Sequence, residues 1–434
     1  MQQGIRLGVD IGGTFTDFTL VDPANGAVRV EKILTSTGAA ERAVLAGVDR
    51  FQSNGKQIVS NADAVIHATT LVTNTILERK GAITGLITTA GFRDLLEIQR
   101  EVRYDLYDLF IQMPKPIVPR RLRFGVTERV LADGSVRTPL DENEVRAAAR
   151  ELREAKVEAV AVVFLHSYRN STHEARAGEI LAEELPGVVV SLSHQVYAEP
   201  KEYERASTTV LDAYVKRTME SYLDRLSDGL RERGYQRKLF MMLSNGGTTT
   251  SEYAKAVPIQ LVESGPAAGV EAASYFGRRM GIDRILSFDM GGTTAKLCIV
   301  EKGRAERARM FEVDRVKRFK AGSGLPVAVP VYDLLEIGAG GGSIARIDSL
   351  GLVQVGPHSA GASPGPVCYG LGGTEPTVTD ADLVLGYLGA NSFLGGDMPL
   401  DLAAAQAAVS KQLCAATGLS VERVASGIFE IVNE

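Results

Sequence analysis

The chain has 434 residues, about three times a common domain size, which points to more than one lobe. Hydrophobic residues make up 45% and charged residues 23%, ordinary globular usage that excludes a disordered or collagen-like chain. With 48 Lys plus Arg against 53 Asp plus Glu the formal net charge is -5, which excludes a basic nucleic-acid binder.

Alternating apolar and polar residues over 5–10, 15–21 and 28–33, broken by a Gly-Gly-Thr turn, predict an opening antiparallel meander. A helix follows over 39–51, then short strands over 63–67 and 84–89, with Thr69, Thr70, Thr73, Asn74 and Thr75 between them. From 104 to 139 the pattern breaks, and Pro114, Pro116, Pro119 and the Asp133-Gly134 turn predict an excursion with a hairpin. Asp141 to Glu144 reads as a capping box opening a helix to Ala155, and the apolar run 157–165 as a buried strand. A second helix and strand cover 172–185 and 187–193, closing an α/β first lobe at 1–195. The long helix predicted over 203–233 bridges into a second lobe, 196–434. That lobe opens with strands over 238–243 and 258–262, continues as a helix to about 280, and repeats the N-terminal hairpin over 284–289 and 295–300. A last helical pattern begins near 420 and still runs at Glu434 without a C-cap, so the sequence reads as a fragment.

Cys298, Cys368 and Cys414 stand far apart, which predicts neither a disulfide framework nor a zinc site. No signal-peptide pattern and no run of 18 apolar residues occurs, so a cytoplasmic protein without a membrane span is expected. The five histidines lack metal-ligand spacing, and Ser207, Ser264 and Ser343 lack the Gly-x-Ser-x-Gly context of a hydrolase nucleophile.

The chemistry concentrates in glycine clusters. Asp10-Ile-Gly-Gly-Thr-Phe-Thr-Asp17 and Asp289-Met-Gly-Gly-Thr-Thr-Ala-Lys296 each set an acid at a strand end, two glycines in the turn and a threonine where the next strand begins. Gly12, Gly13, Gly291 and Gly292 let successive backbone N–H groups face an anion, while Thr14 and Thr293 add hydroxyl donors. An acid beside a phosphate needs a cation between them, so Asp10 and Asp289 read as Mg²⁺ ligands acting through water. One such hairpin is often structural, but two copies heading two lobes read as a nucleotide clamp. Ile337-Gly-Ala-Gly-Gly-Gly-Ser343, with Gly340, Gly341 and Gly342 in a row, either lines the nucleotide or is a flexible turn. Glu263-Ser-Gly-Pro-Ala-Ala-Gly269 suits an anion site or tight helix packing, and Asp380 and Asp382 suit the metal or a helix cap.

Together with His67–Thr75, Phe124–Arg129, Ser244–Gly247 and Ser359–Gly370, these motifs resemble the hydantoinase A / 5-oxoprolinase family across nearly the whole chain. The resemblance implies the two-lobed actin-like ATPase (ribonuclease H-like) fold, here lacking its C-terminal part. Many relatives continue the second loop with Ser-Thr-Asp where this chain has Thr294-Ala-Lys296, and a Gly-Gly-x-Gly-Pro motif expected near adenosine is absent. Also implied is ATP- and Mg²⁺-dependent phosphorylation of a cyclic amide at its carbonyl oxygen, with a hydantoinase B-like subunit completing ring opening in a hetero-oligomer. Thr69, Thr70, Thr73 and Asn74 are candidates for the acceptor side. The alternatives are a ketone carboxylase subunit of the acetone or acetophenone type, and a non-catalytic ATP-switched binding protein.

Overall fold

A computed structural model describes residues 4–35, 39–52, 58–317 and 319–434. The opening meander forms as expected: β1 (Arg6–Ile11), β2 (Phe15–Asp22) and β3 (Ala27–Leu34) pair antiparallel, and α1 (Ala40–Gln52) packs beneath them. β4 (Ala64–Thr69) then runs parallel to β1 with Asp10 beside Ala68 and Ile11 beside Thr69, so both strands end at the same rim. From that rim starts α2 (Leu71–Leu77), a helix that the threonine-rich sequence conceals. Val72 and Ile76, fully buried, hold it down.

A second sheet is built from β5 (Thr84–Thr89), and the segment after it contains the short helix α3 (Leu95–Ile98) and β6 (Arg123–Val126). The hairpin of β7 (Arg129–Val130) and β8 (Val136–Thr138) sits at the expected Asp133-Gly134 turn. Asp141 caps α4 (Glu142–Glu154) by accepting from the Asn143 and Glu144 amides. Glu144 does not close the box; its carboxylate takes the Thr127 amide instead and ties helix to sheet. β9 (Ala159–Val163) is buried at every residue, as its unbroken apolar run requires, with α5 (Thr172–Glu184) and β10 (Val189–Leu192) beyond it. The sheet order is β10-β9-β5-β6, all parallel.

After the single turn α6 (Ser193–Val196) comes α7 (Glu202–Glu232), 31 residues and roughly 46 Å long. The long helix was expected to bridge into a second lobe; in the structure it lies between the two sheets and also meets residues 325–328. Tyr203, Ala206, Val210 and Ala213 pack into the core of the second sheet, whereas Leu211, Val215, Met219 and Leu226 pack into the core of the first. The helix is a spine between two sheets: every residue from Tyr203 to Val215 is buried, and polar ones among them are tied internally, Thr208 to the Glu204 carbonyl and Asp212 to the Ile259 amide. Midway along it the Tyr222 hydroxyl meets Nε2 of fully buried His67 at 2.6 Å, which accounts for a histidine inside β4. Burial pushes that imidazole down to about 4, so it is neutral.

β11 (Leu239–Met242) pairs parallel with β4, and β12 (Thr248–Thr250) antiparallel with β11, giving the first sheet the order β12-β11-β4-β1-β2-β3. After α8 (Ser251–Ala256) the strand expected over 258–262 is instead a 3₁₀ turn, Pro258–Leu261. Pro258 has no N–H for a ladder, and the Ile259 amide is taken by buried Asp212 at 3.1 Å. α9 (Ser264–Met280) leads to the second hairpin, β13 (Arg284–Met290) and β14 (Ala295–Glu301), whose seven antiparallel pairs include Asp289 opposite Lys296. Among the described residues no helix is long and apolar enough to cross a membrane.

Candidate functional site

Both glycine turns close by the same bond: the Gly12 amide donates to the Phe15 carbonyl, and the Gly291 amide to the Thr294 carbonyl, each at 2.9 Å. The sequence repeat is therefore a structural repeat. The turns also face each other. A Cβ added to Gly292 would collide with the Thr14 hydroxyl, so only a glycine lets the two hairpins approach this closely.

Between them lies a cleft of about 450 Å³. Asp10, Gly12, Gly13 and Thr14 line it from the first hairpin, Asp289, Gly291, Gly292 and Thr293 from the second. Thr70, Thr73 and Asn74 enter from the start of α2. The third glycine loop is neither free nor floppy. Gly341 and Gly342 line the cleft while their amides donate to the Gly291 and Gly292 carbonyls at 3.1 and 2.8 Å. Gly340 stands just behind, where an added Cβ would sit 2.6 Å from the Thr293 amide nitrogen. Thr69 also stays behind the wall, fully buried, its hydroxyl accepting the Leu71 amide at 3.0 Å. Ser264 stitches the start of α9 to Thr69 by bonding both its amide and its carbonyl at 3.0 Å. The Glu263–Gly269 motif thus packs a helix tightly, with Gly265 letting that helix end approach the Asp10 carboxylate.

Asp10 is the electrostatic focus. Its Oδ1 is buried without a hydrogen-bond partner. Burial first, then repulsion from Asp17 and Asp289, pushes its carboxyl up to about 6, with Lys32 and Lys296 opposing. Asp382 lines the same cleft with a second orphaned oxygen and is also pushed up to about 6 by burial. Asp380 serves the helix start instead: Thr377 is the N-cap, and Asp380 three residues on closes the capping box and takes the Cys368 amide at 2.8 Å. Among the described residues no cluster of three or more His, Cys, Asp or Glu is poised to hold a metal. The orphaned Asp10 oxygen, with the Asp289 carboxylate repelling it across the cleft, instead fits a cation that keeps most of its water, the habit of Mg²⁺.

Glu263 and Lys296 carry a feature that the sequence patterns do not expose. Glu263 takes left-handed backbone angles (φ 58°) without being glycine, and accepts from the Thr73 hydroxyl at 3.1 Å while forming an ion pair with Lys296. Glu336 lies 3.9 Å from the same ammonium. Burial acts to neutralise Lys296, but Glu263, Glu336 and Asp289 together outweigh it and hold its pKa above the usual lysine value. The nearest sequence signal is an acid directly before a Ser-Gly-Pro helix start. Lys296→Met is expected to destabilise the fold by about 3 kcal/mol, because it leaves Glu263 as an unpaired buried charge; Glu263→Gln added to it should restore part of that loss in urea denaturation.

The model of the hydantoinase/oxoprolinase N-terminal region matches residues 6–185, and that of hydantoinase/oxoprolinase matches 205–434. The chain belongs to the hydantoinase/oxoprolinase family. This family member is 38% identical to the caprolactamase subunit alpha of Pseudomonas jessenii, over all of this chain and 62% of that protein. It is 35% identical to the acetophenone carboxylase gamma subunit of Aromatoleum aromaticum, over 98% and 59%. Among solved structures it is similar to nucleotide-free acetone carboxylase, with a TM-score of 0.86 at 30% identity over 99% of this chain and 61% of that one. The P. jessenii caprolactamase structure gives 0.75 over the same shares. The chain thus spans about three fifths of the length of these relatives. It has the family's two-lobed, actin-like α/β fold, and the relatives it matches include ATP-dependent enzymes that are named as subunits.

Proposed function

We propose that the hydantoinase/oxoprolinase-family chain phosphorylates the carbonyl oxygen of a cyclic amide at the expense of ATP, and that a hydantoinase B-like companion subunit completes ring opening. What carries this reading is the pair of hairpins with identical turn bonds closing on one cleft around the orphaned Asp10 oxygen. Amides of Gly12, Gly13, Gly291 and Gly292 and hydroxyls of Thr14 and Thr293 would hold the phosphates, with Gly341 and Gly342 closing the third side. Asp10 and Asp289 would hold Mg²⁺ through water. The ion supplies charge neutralisation at the β- and γ-phosphates.

An amide is a poor electrophile, and turning its oxygen into a phosphate ester creates a leaving group. The carbonyl oxygen attacks the γ-phosphorus as the bridging oxygen departs with ADP, and no proton has to be removed. Positioning therefore dominates over acid–base work. Thr70, Thr73 and Asn74 are proposed for the acceptor side, with Thr69 fixing their turn. Use of ATP goes with a cytoplasmic setting.

A second reading, phosphorylation of a ketone enol or bicarbonate by a carboxylase subunit, is favoured by the higher TM-score to acetone carboxylase. One experiment separates them. The intact protein, with the subunits that accompany it, is given Mg-ATP and in turn hydantoin, 5-oxoproline, ε-caprolactam, or acetone with and without bicarbonate, and ADP release is measured. Stimulation by a cyclic amide supports the first reading; stimulation only by acetone plus bicarbonate supports the second. ADP release indifferent to every acceptor overturns both and leaves an ATP-driven switch.

A further inference from the structure

A second cavity of about 360 Å³ adjoins the nucleotide cleft, and the two share Thr73, Leu77, Thr294, Lys296 and Glu336 as a common wall. It lies on the far side of the Lys296–Glu263 pair, between α2 and residues 308–338. Its volume is at the small end of ligand sites, which run from about 300 to 1,000 Å³. Leu77, Met310, Phe311 and Leu334 give it apolar sides. Three of its carboxylates are already matched: Glu263 by Lys296, Glu312 by Arg315 at 3.3 Å, and Asp314 by Arg79. Asp333 and Glu336 add two more carboxylates to a lining whose cations are Lys296 and Arg315, so an anionic ligand would meet net negative charge. A compact neutral molecule would not, and its polar end would find donors at the shared wall in the Thr294 hydroxyl and the Lys296 ammonium, the Thr73 hydroxyl already donating to Glu263.

We propose that this chamber is the acceptor site: it takes a small neutral amide or ketone against Leu77, Met310 and Phe311, with the carbonyl oxygen turned through the shared wall toward the nucleotide cleft. The inference rests on the phosphorylation reading and locates its acceptor. In the transfer the carbonyl oxygen forms a bond to the γ-phosphorus, the bond from that phosphorus to the bridging oxygen breaks, and ADP leaves with the electron pair. For an amide the product is an O-phosphorylated imidate in its cationic, N-protonated form; a ketone reacts as its enol, whose hydroxyl proton passes to solvent as the enol phosphate forms. Lys296 keeps its own protons throughout and acts as a positioning residue, a fixed positive charge beside the transferring phosphoryl group.

Met310 is 40% exposed, so it can be enlarged without disturbing a core. In the intact protein with its companion subunits, Met310→Trp is expected to raise the KM of whichever neutral acceptor best stimulates the wild type, among hydantoin, ε-caprolactam and acetone, at least tenfold. The affinity for Mg-ADP, measured without acceptor, is expected to stay within twofold. Met310→Ala, the control that removes volume, should shift preference toward the larger ring. An acceptor KM within twofold of wild type in both variants would overturn the chamber assignment, and so would a parallel loss of Mg-ADP affinity, which would make the cavity part of the nucleotide site. A wild-type protein that binds Mg-ADP but releases no acceptor-dependent ADP would sink the phosphorylation reading itself, and the chamber assignment with it.

Discussion

Asp10→Asn is expected to lower acceptor-dependent ADP release by about a hundredfold or more while raising the thermal midpoint of the nucleotide-free protein. The two effects have one cause. A carboxylate whose oxygen is buried without a partner and repelled by Asp17 and Asp289 is costly to keep ionised, and its titration near 6 reports that cost. Relative to an ordinary aspartate the shift corresponds to up to about 3 kcal/mol, reduced by whatever solvent the open cleft admits. The sign follows from proton uptake. Between roughly pH 4 and 6 the folded chain holds a proton that the unfolded chain has released, so this group's contribution to stability is favourable in acid and is lost as pH rises through about 6. Asparagine removes the penalty, and the midpoint difference between variant and wild type should widen from pH 5 to pH 8 in differential scanning fluorimetry. Saturating Mg-ADP should stabilise the wild type and not the variant. An equally active Asp10→Asn protein would refute the clamp.

Gly340→Ala should weaken Mg-ADP binding at least tenfold and cost about 1–3 kcal/mol of stability, although Gly340 does not face the cleft. Its added methyl would stand 2.6 Å from the Thr293 amide nitrogen and 2.7 Å from the Gly291 carbonyl oxygen, both backbone atoms that cannot swing aside. To relieve the clash the loop must separate from the second hairpin, breaking the bonds by which Gly341 and Gly342 grip Gly291 and Gly292. Gly269→Ala is the control. It lies inside α9 with open space around its Cβ direction, so alanine there should be neutral or stabilising by up to about 1 kcal/mol. Isothermal titration with Mg-ADP and urea denaturation of both variants read the two effects separately.

The hairpins and their partnership were legible because strict alternation and the twice-used Asp-x-Gly-Gly-Thr string fix both the strand faces and the turn. Local pattern was enough there. It was not enough for α2, where Thr73, Asn74 and Thr75 mask a helix that is held by Val72 and Ile76, nor for Pro258–Leu261, where an apolar run is bent by a proline and tied to Asp212. The burial of α7 on nearly every side of its N-terminal half depends on two sheets that only folding brings together. The Glu263–Lys296 pair and the second cavity were hidden for the same reason: their parts come from positions 73–77, 263, 294–296 and 308–338, and no spacing along the chain encodes their meeting.

The 31-residue spine has a consequence for how the protein loses its structure. Because Val210 belongs to one core and its neighbour Leu211 to the other, neither sheet can melt without baring a flank of the rod on which its neighbour leans. The two sheets therefore share one cooperative fate, a single foldon in which damage on either side is felt on both.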